Sequence, residues 1–298
     1  MSDTRPSRSA RLAWGAVFAL LLGVVALVTY ALTHVSSPTT VVEPAVTAPD
    51  ILDAVSNVPA STFDGVGVTV PGAELTPPLV VSDPQLTAGG KPQVLFIGAE
   101  YCPFCAAERW PLVVALSRFG HFTVLRNATS ATQSVFPGTA TFSFDGAEYT
   151  SPYLTFTGVE LYSDQIGADG TFTRIARPTA AQTALVARYS GSDVGPETGV
   201  SPFVDIAGRM VTTTSGFSPA LLAGQSQAQI ASELDAPPRP AEPSTAPASA
   251  PPTGQAIIAA ANELTVGICA ATGQRPSSVC LSKGVRSAAQ SLGAAPAA

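Results

Sequence analysis

One long uncharged run and a series of short alternating blocks divide this chain. Residues 12–32, opening at Leu12 and closing at Leu32, carry no charge. That length crosses a bilayer core as a helix. After it, Asp50 is placed to N-cap a short helix through Ile51, Leu52, Val55 and Val58. Residues 94–99 form an apolar run behind Gly89-Gly90-Lys91-Pro92, the pattern of a strand covered on both faces. Leu112, Leu116 and Phe119 then recur at helical spacing up to Gly120, with Pro111 expected to kink that helix. Residues 121–125 alternate as a second strand. Phe142 and Phe144 lead into Asp145-Gly146, a hairpin-turn pair. Residues 154–161 read as a further strand and 179–189 as a helix. Two strands flank Gly208-Arg209, and residues 221–234 read as a closing helix. Ile257, Ala261, Leu264 and Ile268 repeat at helical spacing near the end.

Proline sets the divisions. Residues 34–49 are punctuated by Pro38, Pro44 and Pro49 and read as a linker. Residues 236–252 hold seven prolines among Ala, Ser and Thr, a composition that forms no core. The expected organisation is therefore an anchor over 1–33, a linker over 34–49 and a body over 50–235. A Pro/Ala-rich linker over 236–253 and a helical tail over 254–298 complete it.

Charge then orients the chain. Arg5, Arg8 and Arg11 precede the apolar run, and no Lys or Arg follows until Lys91. The positive-inside rule puts residues 1–11 in the cytoplasm and the remainder outside, giving a single-pass protein of the cell membrane. A cleaved signal peptide is the alternative, but its apolar region spans only about 7–15 residues. Charged residues make up 12% of the chain, against about 25% in an average domain. The net charge of −6 and the lack of a basic cluster past residue 11 exclude a nucleic-acid binder. Four cysteines are too few for a disulfide scaffold of 298 residues.

The chemistry converges on Cys102-Pro103-Phe104-Cys105. A C-x-x-C on the first turn of a helix, behind a buried strand, places the first sulfur among free backbone N–H groups. The positive end of the helix dipole also favours its thiolate. Cys102 is expected to be the exposed nucleophile and Cys105, one turn along and more buried, the resolving thiol. Pro103 suits the first helical position because its missing N–H would go unused there. A structural bridge between Cys102 and Cys105 is the competing reading, although so tight a loop is strained. A zinc site is disfavoured by ligand spacing, so neither a metal nor a cofactor is expected. Cys269 and Cys280 read as a structural disulfide, with an electron relay to the first pair as the alternative. Glu100 is a weak proton-shuttle candidate, Glu108 is expected to be solvated, and Trp110 to pack.

The order of strand, C-x-x-C, helix, strand, then Ser201-Pro202-Phe203 before a hairpin and closing helix resembles the thioredoxin-like superfamily. The run from Gly98 to Trp110, with Ser151-Pro152-Tyr153 and the Cys269/Cys280 pair, is similar to a prokaryotic membrane-anchored family catalogued as a domain of unknown function. The resemblance implies an α/β thioredoxin-like fold with a β-rich insertion near 130–198, preceded by one transmembrane helix. It implies that Pro202 is a cis-proline facing the thiols. Ser201 and Pro202 would then receive substrate beside Tyr101, Pro103 and Phe104. Three departures stand out: Pro-Phe between the cysteines, Tyr101 before them, and the long interval to Pro202. The expectation is a membrane-anchored extracytoplasmic thiol–disulfide oxidoreductase. Its partners would be protein thiols or disulfides and a recycling redox partner. The alternative is a non-enzymatic binding or assembly domain.

Overall fold

The computed structural model describes residues 20–30, 45–190, 200–235 and 253–294. The chain divides into two compact units, Met1–Glu43 and Pro44–Ala298. In the first, helix α1 (Leu20–Tyr30) is apolar and its described side chains are exposed. Residues 12–19 and 31–32 of the uncharged run lie outside the described residues, as do residues 236–252.

The second unit is a mixed α/β body. Helices α2 (Pro49–Ser56) and α3 (Ala60–Val66) come first. Short strands β1 (Leu79–Val80) and β2 (Thr87–Ala88) lead to the central strand β3 (Lys91–Gly98). Val94 to Ile97 are buried, because both faces of β3 are covered. Helix α4 (Pro103–Ser117) follows, then β4 (His121–Thr129) and β5 (Ala140–Thr150). Strand β6 (Thr155–Glu160) is succeeded by β7 (Tyr162–Ile166), β8 (Phe172–Arg174) and helix α5 (Ala180–Ser190). The hairpin β9 (Phe203–Ile206) and β10 (Met210–Thr212) completes the strands.

The main sheet runs β6-β3-β9-β10-β1, with β2 folded onto the start of β3. β6 lies parallel to β3, while β9 lies antiparallel on its other side. The parallel neighbour of β3 is therefore not the strand directly after α4. β4 pairs with β5 alone, so the expected second core strand is displaced by a hairpin. Asp145-Gly146 is not the turn of that hairpin. It lies within β5, where Phe144 to Ala147 bulge opposite Leu125 between the pairs Val124–Glu148 and Arg126–Ser143. Gly146, at φ 65°, supplies the left-handed residue this bulge needs.

Helix α4 is buried on all sides rather than along one face. Pro103 and every residue from Cys105 to Leu116 are buried, and the helix continues through Pro111. Its second cover is α7 (Thr253–Ala271). Among the described residues, α7 is the helix long and apolar enough to cross a membrane, but 89% of its apolar window is buried inside the protein. It is a core helix. Arg118, beyond the end of α4, donates to Asn262 and Thr265 of α7. Asn262 in turn donates to the carbonyls of Phe63 and Gly67. A Cβ on Gly267 would stand 2.8 Å from Met210 Cβ, so glycine lets α7 approach the sheet closely.

The expected closing helix is broken. A 3₁₀ turn (Pro219–Leu222) precedes α6 (Gln227–Ser232), which restarts through a capping box between Ser226 and Gln229. Beyond α7, α8 (Ser277–Cys280) and α9 (Lys283–Ser291) are tied back by the disulfide Cys269–Cys280.

Candidate functional site

Cys102 is the N-cap of α4, extended at φ −82° and ψ 122°. Its sulfur accepts the Cys105 backbone N–H at 3.3 Å. This is the capping geometry that helix N-termini ask of an acceptor side chain. Both Cys102 and Cys105 are free thiols. Cys102 is 3% exposed, not open to solvent as expected, and Cys105 is fully buried. Gly98 makes that burial possible, since a Cβ there would lie 3.0 Å from Cys105 Sγ and 2.6 Å from Phe96 Cζ.

The two thiols are polarised in opposite directions. Cys102 is held below the ordinary thiol range, first by the Cys105 thiol hydrogen bond, then by the Cys105 amide and the Arg109 charge, against the cost of burial. Burial pushes Cys105 well above that range, and its hydrogen bond and charge interaction with Cys102 push the same way. A stabilised first thiolate beside a protonated second thiol is a nucleophile with a resolving partner.

An apolar cavity of about 330 Å³ opens beside Cys102. Tyr101, Pro103 and Phe104 line it, as the sequence reading groups them. Val200 lines it in place of its neighbours Ser201 and Pro202. The Ser201–Pro202 peptide is trans, and Arg275–Pro276 is the cis peptide among the described residues. The implied cis-proline is thus absent, although Pro202 still leads into β9, where Phe203 pairs with Ile97. The inserted region contributes the rest of the wall through Ala131, Gln133, Ser134, Val135 and Phe172. Phe172 stacks on Tyr101 at 4.1 Å between ring centroids.

A polar cluster lies buried with these thiols. Glu100 is 2% exposed, donates its backbone N–H to the Tyr162 carbonyl, and accepts the Ser143 hydroxyl. Burial raises its carboxyl to about 7, the Glu160 charge assisting and the Ser143 bond opposing. Arg109, one turn beyond Cys105, makes a two-pronged ion pair with Glu160 at 2.9 and 2.7 Å, both side chains fully buried. Glu160 also accepts the Phe144 amide. Glu108 is buried rather than solvated. It accepts the Gly216 amide at 2.8 Å and faces α7. Trp110 packs as expected, edge-on to Phe142, with its indole N–H on the Ala140 carbonyl.

Residues 77–169 match the model of a family described as a domain of unknown function (DUF929). No curated protein and no solved structure matches the chain. The DUF929 segment contains Cys102, Cys105, Glu100, Arg109, Ser143 and Glu160, so the thiols and their buried polar neighbours fall in one matched stretch.

Sequence reasoning missed Arg109, Glu160, Ser143 and Val200. A usable signal existed for the first: a charged residue inside a helix otherwise apolar on every side requires a buried partner. Cys269 and Cys280 do not join this site. The pocket beside that disulfide is lined by Val80, Val81, Arg209 and Val285, none of which lines the cavity beside Cys102.

Proposed function

We propose that this chain is a membrane-anchored, extracytoplasmic thiol–disulfide oxidoreductase of thioredoxin-like fold, acting on protein thiols through Cys102 and Cys105. The observation that carries this reading is the opposed polarisation of the two free thiols at the start of α4, with Cys102 opening on an apolar cavity. The fold assignment is supported by the order β6-β3-β9-β10, with β6 parallel and β9 antiparallel to β3, and by α4 leaving the end of β3. The anchor is supported by the uncharged run over residues 12–32 and the arginines before it.

The exchange proceeds in two displacements. The Cys102 thiolate attacks one sulfur of a substrate disulfide, forming a mixed disulfide and expelling the other sulfur as a thiolate. Cys105 then loses its proton and attacks Cys102 Sγ. This releases the first substrate sulfur, which gains a proton, and leaves a Cys102–Cys105 disulfide. The substrate gains two electrons and the protein loses two; the reverse sequence oxidises a dithiol.

The test is covalent trapping. Cys105→Ser should accumulate mixed disulfides with extracytoplasmic proteins, seen as reductant-sensitive bands on non-reducing gels. Cys102→Ser should accumulate none. Trapping by neither variant would replace the enzyme reading with a non-catalytic binding domain.

A further inference from the structure

Arg109 is an unusual residue to bury. It is fully enclosed, and its pair with Glu160 uses Nε and Nη2. The third nitrogen, Nη1, is buried with no hydrogen-bond partner. Enclosing an ion pair costs several kcal/mol per ion, and apolar replacements of similar volume are often no less stable. An orphaned guanidinium donor adds to that cost. Stability therefore does not account for the arrangement, and its location suggests what does. Arg109 is four residues after Cys105 on α4, a spacing that sets two side chains on one helix face. Its charge acts on both thiols. Its guanidinium stands 5.3 Å from the centre of the Phe96 ring, the ring that Gly98 allows to lie close to Cys105.

We infer that Arg109 is the positioning residue for the resolving step: Glu160 fixes its guanidinium beneath the motif, and its spare N–H and charge stabilise the Cys105 thiolate. This rests on the oxidoreductase reading above. In the second displacement Cys105 must become an anion at a fully buried position, where burial alone opposes ionisation. A fixed cation lowers that barrier without moving. The proton leaving Cys105 goes to the departing substrate sulfur; Glu100, whose charge acts on Arg109, is a buried carboxyl of the same cluster. The other ionisable groups facing this cluster are Cys102, Tyr101, Glu160 and, next to Glu100, Asp164.

The experiment uses the full-length reduced protein in detergent and the chromogenic disulfide 5,5′-dithiobis(2-nitrobenzoate). Attack by Cys102 releases the first chromophore. Resolution by Cys105 releases the second, so the two steps are seen separately. The main variant is the double substitution Arg109→Met, Glu160→Gln, which removes both charges of the pair and keeps an acceptor for the Phe144 amide, so the fold stays testable. Its second phase should slow roughly tenfold or more, the effect expected of removing one nearby opposite charge. The pH midpoint of that phase should rise by about one unit. Arg109→Lys should recover part of the rate, because the charge returns without the fork. A folded double variant with the wild-type second rate and pH midpoint would overturn the role given to Arg109 and leave the oxidoreductase reading intact. No release from the wild-type protein would overturn both.

Discussion

The two cysteine pairs share an element type and differ in nearly everything else. Cys102 and Cys105 start a helix, three residues apart, as free thiols beside a buried cation and two buried carboxylates. Cys269 and Cys280 end one helix and begin the way to another, 11 residues apart and bonded. Around them the surface is mainly aliphatic, with Val266, Ala270, Leu281 and Val285 close by. Chemistry is assigned by surroundings rather than by residue type. A sulfur at a helix N-terminus gains hydrogen bonds only as an acceptor, which favours its anion. A sulfur pair joining the ends of helices has no such bias and works as a tie.

The comparison breaks first at exchange activity. Cys102→Ser should lower thiol–disulfide exchange by on the order of 10³-fold or more, because it removes the attacking atom. Cys269→Ser with Cys280→Ser should leave the exchange rate unchanged, measured by turnover of a dithiol substrate. If the second variant lost activity as the first does, the tie would instead be a relay. Stability should respond the other way round. Losing the tie should cost about 3 kcal/mol by the loop-closure argument, read from urea unfolding, whereas Cys102→Ser should change stability little. Accessibility separates the pairs once more. After mild reduction, a small alkylating agent should label Cys102 in the folded protein. Cys269 and Cys280 should stay bonded until it unfolds.

Much of this contrast is written locally in the chain. The strand over residues 94–97, the thiol motif and the start of α4 lie in a continuous stretch, so period and capping are enough to read them. Partners distant in sequence are another matter. Arg109 and Glu160 are 51 residues apart, and no spacing rule joins them. Strand partners fail similarly. Residues 121–125 and 154–161 both carry strand patterns, but alternation says which face is buried, not which strand lies alongside. The choice of β6 depends on tertiary fit, as where Gly158 makes room for Phe144 against the sheet, its absent Cβ only 2.3 Å from Phe144 Cβ. The helix over 253–271 follows a proline-rich stretch and so reads as a tail. It is instead a wall of the core, covering the side of α4 that a one-faced helix would have left to solvent.

That wall carries the finest distinction between the two regions. Helix α4 bears the reactive pair and α7 bears one end of the tie, and a pair of buried carboxylates lies between them. Burial raises Glu108 on α4 to about 8, with the Glu263 charge adding to it, and raises Glu263 on α7 to about 7. Glu263 Oε2 has no hydrogen-bond partner. Both groups have an ordinary value near 4.5. The unfolded chain therefore releases these protons at lower pH than the folded protein does. The stability they contribute is complete below pH 4.5, declines as pH rises, and is lost by about pH 8. Glu108→Gln keeps the volume and part of the hydrogen bonding but cannot ionise. It should raise stability at pH 8 by on the order of 2 kcal/mol relative to wild type and by much less at pH 5. Urea midpoints at the two pH values measure this. An equal gain at both would mean that the carboxylates contribute through packing alone. If exchange turnover stays constant while stability shifts, the α4–α7 contact is structural, and the reactive end of α4 works independently of the wall behind it.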